Sequence, residues 1–250
     1  MLANYADQIV GALLTGCGAV LTASLAWTWK RVNERWKRPR VVIEVGNGEG
    51  HVSETILIKT YSNGMSSSST GREAIFVRAK VTNKAGGFGA PETARGCIGY
   101  LAGLEKWDPA RGEFGPTKYH DFLRLSWSYN GEAHGMDLLP GVPVWLDVVY
   151  VLPPNQPMTP SSLKIASNPP VNRYSEGFYL PDLFRVKVQV SGENFRAQSV
   201  QFYVLVPNGS NTPEVLEEST WRARLPALES STEDQIQQRL APSDTRALPV

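Results

Sequence analysis

The sequence predicts a mainly β protein: a single N-terminal transmembrane α-helix followed by an antiparallel β-sandwich of about nine strands. Three observations lead there. Residues 9–29, IVGALLTGCGAVLTASLAWTW, run for twenty-one positions without a charge, and a hydrocarbon core about 30 Å thick takes roughly 20 apolar residues at helical rise. Beyond Arg40, apolar residues recur with period two in short runs separated by Gly, Pro, Asn and Ser, the pattern of strands and turns. No amphipathic helical stripe of useful length interrupts those runs before Pro207, so sheet is expected to pack on sheet.

The chain divides into a short N-terminal segment (1–8), the span (9–29), a basic extension (30–40), a sandwich (41–207) and a polar tail (208–250). Only Asp7 is charged ahead of the span, whereas Lys30, Arg31, Arg35, Lys37, Arg38 and Arg40 follow it against Glu34. Short basic flanks are retained inside, which predicts an outside N-terminus and a cytoplasmic sandwich, at the inner membrane if the cell is bacterial. Trp27 and Trp29 stand where interfacial aromatics belong. Trp36 shares a helical face with Trp29 and Val32, so the helix is expected to continue as an amphipathic collar on anionic headgroups until Pro39 stops it. Each basic residue near such a surface contributes about 1 kcal/mol.

Ser24-Leu25-Ala26 also resembles a signal-peptide cleavage site. The flanks favour an anchor instead: no Lys or Arg precedes the run, its length exceeds an h-region, and the positive charge follows it. Within the span, Ala12, Gly16, Ala19 and Ala23 have small-xxx-small spacing, which lets helix backbones approach and would permit a homo-oligomer through the membrane. Cys17 falls mid-span and Cys97 in the body, so no internal disulfide is expected.

In the body, Val41, Ile43 and Val45 alternate with Val42 and Glu44, and Gly46-Asn47-Gly48-Glu49-Gly50 separates them from Thr55–Tyr61; this predicts a hairpin turned by glycines. Ser62–Gly71 reads as a flexible loop by composition. Ile75, Val77, Ala79 and Val81 alternate with Phe76, Arg78, Lys80 and Thr82 up to Asn83, a half-exposed strand. Cys97–Leu104 is the next strand, then a polar excursion over Glu105–Tyr119, then Phe122–Asn130 with Leu123, Leu125, Trp127 and Tyr129 on one side. Val142–Leu152 is apolar on both faces and reads as central; Leu163–Ala166 is short; Leu183–Gly192 and Ser199–Val206 close the set.

Three of these segments, EAIFVRAKVTNKAGG, LLPGVPVWLDV and FRVKVQVSGENFRAQSVQFYVLV, resemble the immunoglobulin-like sandwich domains of prokaryotic proteins. The resemblance spans most of residues 41–206 and is one of fold; the Cys-Trp-Cys arrangement of antibody-type domains is absent because Cys97 has no partner cysteine in the body. It implies a domain that binds other molecules or acts as a rigid spacer.

No reaction is written in the residues. His51, His120 and His134 lack metal-ligand spacing, and Glu105 with Asp108 flanks Trp107 in what reads as a solvated loop. Cys97 in an apolar strand reads as a small buried hydrophobe. GNGEG lacks the following helix that a phosphate loop requires. Catalytic residues, metal and cofactor are therefore not expected. The chain carries 25 Lys and Arg against 24 Asp and Glu, and with the basic extension and the acidic tail set aside the body is neutral, which gives no reason to expect nucleic acid. Lys59, Arg78, Lys80, Arg185 and Lys187 project opposite the apolar sets of their strands. If those strands share a sheet, they form a basic face for an anionic headgroup, nucleotide or acidic partner.

The tail holds one short helical stripe at Thr232–Ala241 and a glycosylation sequon at Asn208-Gly209-Ser210. The expected function is a membrane-anchored interaction or sensing module that recruits an unidentified protein partner. Two alternatives stand beside it: an oligomeric effector whose spans disturb the bilayer, and an exported carbohydrate-binding or surface domain.

Overall fold

The computed structural model describes residues 24, 26–34, 36–62, 67–84, 92–117, 119, 122–128, 135–153, 161–167, 178–179, 182–207 and 210–225. Most of the predicted span, including Ala12, Gly16, Ala19 and Ala23, lies outside them, as do the predicted helix at 232–241 and Arg35. Among the described residues no helix is long and apolar enough to cross a membrane. Backbone at 26–34 and 36–37 is helical, and the chain bends at Arg38 and passes through Pro39 into the first strand. Pro39 cannot continue the amide ladder, and it disfavours helical geometry at the residue before it.

Fourteen strands follow among the described residues. The first seven are β1 (Arg40–Glu44), β2 (Val52–Ser62), β3 (Ser67–Lys84), β4 (Ala94–Asp108), β5 (Glu113–Pro116), β6 (Leu123–Arg124) and β7 (Ser126–Trp127). The rest are β8 (Met136–Leu138), β9 (Pro143–Leu152), β10 (Ser162–Ile165), β11 (Phe178–Tyr179), β12 (Asp182–Ser191), β13 (Gln198–Val206) and β14 (Glu214–Leu216). They form two antiparallel sheets packed as a sandwich. One has the order β1-β3-β9-β10-β11, with β2 also on β3 and β7 on β9; the other has β14-β13-β12-β4-β5, with β6 and β8 also on β4.

The expected β1–β2 hairpin does not form. Both strands run antiparallel along the same edge of β3, β1 from Arg40 opposite Lys84 and β2 from Val52 opposite Val77. Residues 45–51 make a detour rather than a reversal. Gly50 takes φ +85°, which favours glycine, and a Cβ there would meet the Trp145 ring at 2.5 Å. The His51 carbonyl accepts a bond from Arg78 N (2.7 Å), so the edge is picked up again at once. The true hairpin joins β2 to β3, and Ser67–Gly71, expected as loop, pairs with Ile58–Ser62. A ladder satisfies backbone groups whatever the side chains, which lets a Ser-rich run become strand. Likewise the polar excursion after Leu104 is strand to Asp108, turns at 109–112 and returns as β5.

The main core lies between the sheets. Val77, Ala79 and Val81 of β3, with Leu146, Val149 and Val151 of β9, face Leu101 and Leu104 of β4 and Phe184, Val186, Val188 and Val190 of β12. Gly99 leaves space for Leu146, whose methyls would lie 2.5 Å from a Cβ there. β9 has partners on both edges, as its doubly apolar sequence predicts. The run containing Leu123, Leu125 and Trp127 does put those three inside, but as a crossing: Leu123 pairs with β4 in one sheet and Trp127 with β9 in the other. Leu125 N donates to Gly99 O (2.9 Å) and Ser126 N to Ala166 O (3.1 Å), so consecutive amides bond to opposite sheets.

The folded body runs past Pro207. β14 pairs with β13, and a helical turn at 221–225 lays Trp221 on the outer face of that sheet. There Trp221 stacks on Tyr203 (5.1 Å between ring centroids) and meets Trp107 and Phe114 edge-on. Leu183, Leu205 and Leu216 complete this second cluster. Asn47 fastens β14 to the other sheet's edge: its Nδ2 donates to Val215 O (2.7 Å) and its Oδ1 accepts from Val215 N (2.6 Å).

Candidate functional site at the helix-bearing end

The chain leaves its helix at one end of the sandwich, and a single buried amide organises that end. Asn83, the last inward residue of the β3 alternation, is fully buried. Its Oδ1 accepts from Arg40 N (3.2 Å), while its Nδ2 donates to Glu92 O (2.9 Å) and Leu138 O (3.2 Å). Its own carbonyl accepts from Gly141 N (2.8 Å). One residue thus joins the start of β1, the approach to β4 and the β8–β9 loop. Glu92 N donates to Lys37 O (3.0 Å), tying the helix end to the same point. A buried polar side chain is stable only when so satisfied.

Beside this clasp lies an open cleft of about 970 Å³. Arg38, Arg40 and Arg196 line it against Glu34, Glu92 and Glu193, so its charge is mixed rather than one-signed. The β12–β13 turn forms one wall. Asn194 holds that turn to the β4 approach, accepting from Arg95 N (3.0 Å) and donating to Thr93 O (3.0 Å). Lys84, the residue after Asn83, pairs with Glu44 (2.9 Å), and this hydrogen bond holds the Glu44 carboxyl below its usual range. Leu139 and Val142 of the β8–β9 loop are 56% and 48% exposed. Trp27, Trp29 and Trp36 on the helix are also exposed, with the Arg31 guanidinium 4.1 Å above the Trp27 ring. Lys30 is exposed on the same helix and Lys37 at its end.

The expected basic face is not assembled as one surface. Lys59, Arg78 and Lys80 belong to the sheet containing β2 and β3, whereas Arg185 and Lys187 stand on β12 in the other. With the core between the sheets, Arg78 and Lys80 lie on one outer face and Arg185 and Lys187 on the opposite one. Arg78 is spent on structure: Nε donates to Asp147 Oδ1 (2.7 Å), which also accepts from Ser128 Oγ (2.5 Å). Lys80 approaches Glu44 (3.6 Å). Arg185 pairs with Glu105 and sits 4.8 Å above the Phe114 ring. Lys187 is exposed, and Lys59 is placed opposite Thr70 by its backbone alone.

The remaining candidates also have structural partners. His51 Nδ1 lies 3.2 Å from Arg78 O, and its ring meets Trp145 edge-on at 4.9 Å. Asp108 Oδ1 accepts from Ala110 N (3.0 Å) in the β4–β5 turn. Cys97 is fully buried, and desolvation pushes its thiol up to about 12. His120 and His134 lie outside the described residues. Among the described residues no three His, Cys, Asp or Glu side chains gather as a metal site would need. Asn83, Leu139 and Arg196 were not singled out by the sequence, since an Asn at a strand end reads as a turn residue and one apolar loop residue gives no period; Val142 was expected in the central strand, which starts at Pro143 instead.

The class of protein so defined is a two-sheet antiparallel β-sandwich with a helix entering at one end. No family model matches this chain, and no curated protein or solved structure does so either.

Proposed function

We propose that this protein is a single-pass, membrane-anchored interaction module: an immunoglobulin-like sandwich held on the cytoplasmic side by a helix spanning residues 9–29, where it recruits a partner protein to the bilayer. The observation that carries the reading is the order of three features along the chain. An uncharged run of bilayer length is followed at once by a basic run and then by β1. The positive-inside rule turns that order into a topology. Anionic headgroups are the partners of Lys30, Arg31, Arg35, Lys37, Arg38 and Arg40, and Trp27, Trp29 and Trp36 seat at the interface. The role in this reading is binding: of the titratable side chains described above, Arg78 with Asp147 and Arg185 with Glu105 are engaged in ion pairs.

Paired reporters fused after Val250, one active only inside the cell and one only outside, test this. Inside-only signal is expected. Outside-only signal would overturn the topology and send the search to glycans and surface partners. The spacing of Ala12, Gly16, Ala19 and Ala23 supports a second reading, an oligomeric effector assembled through its spans. Mass measured in detergent separates the two: a strict monomer counts against the oligomer.

A further inference from the structure

From the helix-bearing end we infer a second membrane contact: the β8–β9 loop, Leu139-Pro140-Gly141-Val142, seats its two apolar side chains in the interface of the bilayer that anchors the chain. The inference rests on the anchored reading above and adds a posture to it, since a body held by a helix and a loop stands on the membrane instead of swinging from a tether.

Place is the first argument. Gly141 N is 2.8 Å from Asn83 O, and Asn83 Oδ1 is 3.2 Å from Arg40 N, the residue where the chain enters the sandwich. Loop and tether are therefore fixed to one buried residue. Exposure is the second argument: Leu139 and Val142 are open on either side of a Pro-Gly turn although Leu138, their neighbour, is fully buried. The turn itself is stiff, with Gly141 at φ +75° and its amide bonded to Asn83. A preorganised loop loses little freedom on insertion.

Charge is the third argument, and it sets the balance of forces. Lys37, Arg38, Arg40 and Lys84 adjoin the clasp and suit an anionic surface. Glu92 and Asp137 are exposed on the same rim, and Glu44 pairs with Lys84. The electrostatic share is thereby reduced, and apolar insertion is what holds the loop down.

Site-directed fluorescence on the full chain tests this. In a Cys17→Ala background, with Cys97 buried, L139C, V142C and R111C each receive an environment-sensitive fluorophore. Arg111 is 73% exposed in the β4–β5 turn at the far end of the 15-residue β4. Each chain is reconstituted into equimolar phosphatidylcholine and phosphatidylserine vesicles, and flotation is recorded first. Expected are flotation of all three and, at positions 139 and 142, quenching by headgroup spin-labelled lipid several-fold above position 111, with protection from aqueous iodide. Flotation with all three probes open to iodide and unquenched by lipid would overturn the loop contact and leave the anchor standing. Failure to float would overturn both.

Discussion

Asn83 and Cys97 show how differently two buried small residues can be used. Asn83→Ala removes three side-chain bonds and leaves Arg40 N, Glu92 O and Leu138 O without the partner they now have. At about 1 kcal/mol for each bond, the expected loss is about 3 kcal/mol, read as a lower urea midpoint at unchanged slope. The β3 alternation that ends in Asn83 was legible in the sequence. Its clasp was not, because it exists only where residues 40, 92 and 138 meet. Cys97 was legible as a buried hydrophobe, and its burial has a pH signature. The unfolded thiol titrates near its ordinary 9.0 and the folded one near about 12, so over that interval the unfolded state binds fewer protons. Stability is therefore unaffected by this group below 9.0 and falls as pH rises towards about 12. In the Cys17→Ala chain a thiol reagent at about pH 8 is expected to react with Cys97 only as fast as the body opens; immediate native labelling would contradict the burial.

Strand by strand, most period-two segments were found where the sequence placed them; Phe122–Asn130 instead splits into β6 and β7 in opposite sheets, and the other errors gather where pairing outvoted composition. Glycines in residues 46–50 signalled a reversal, yet β1 and β2 share one edge of β3. A turn signal says the chain bends, not which strand it meets next. Ser67–Gly71 and Glu105–Asp108 became strand because a neighbouring ladder was within reach. β14 and the turn carrying Trp221 were hidden in a polar tail, since Val215, Leu216 and Trp221 are too few to show a period. Trp221 nevertheless covers Tyr203, Trp107 and Phe114. Trp221→Ala is expected to cost about 3 kcal/mol in a denaturation experiment. A change below a tenth of that would mean the turn is not part of the cooperative body.

Taken together, the sheets are one unit, because the chain passes between them at Leu125 and bonds to both within two residues. Buried Trp127 sits at the crossing and Cys97 on β4. Tryptophan emission, to which Trp127 contributes, and Cys97 accessibility are thus expected to change at the same denaturant concentration, and two separated midpoints would mean that the body does not unfold as one unit. The predicted basic face failed at this scale as well: it required β3 and β12 in one sheet, whereas β12 lies between β13 and β4. That position, with the Asn47–Val215 bond across 168 residues of chain, bears on how the protein is made. During synthesis β3, β4 and β9 emerge before the strand that completes their shared interior. At roughly 5–20 residues per second, the distance from β4 to Val206 takes on the order of ten seconds. Through that interval the growing polypeptide displays sticky, unmatched strand edges on the ribosome. An mRNA truncated before β13 is therefore expected to yield an aggregation-prone fragment rather than half a fold.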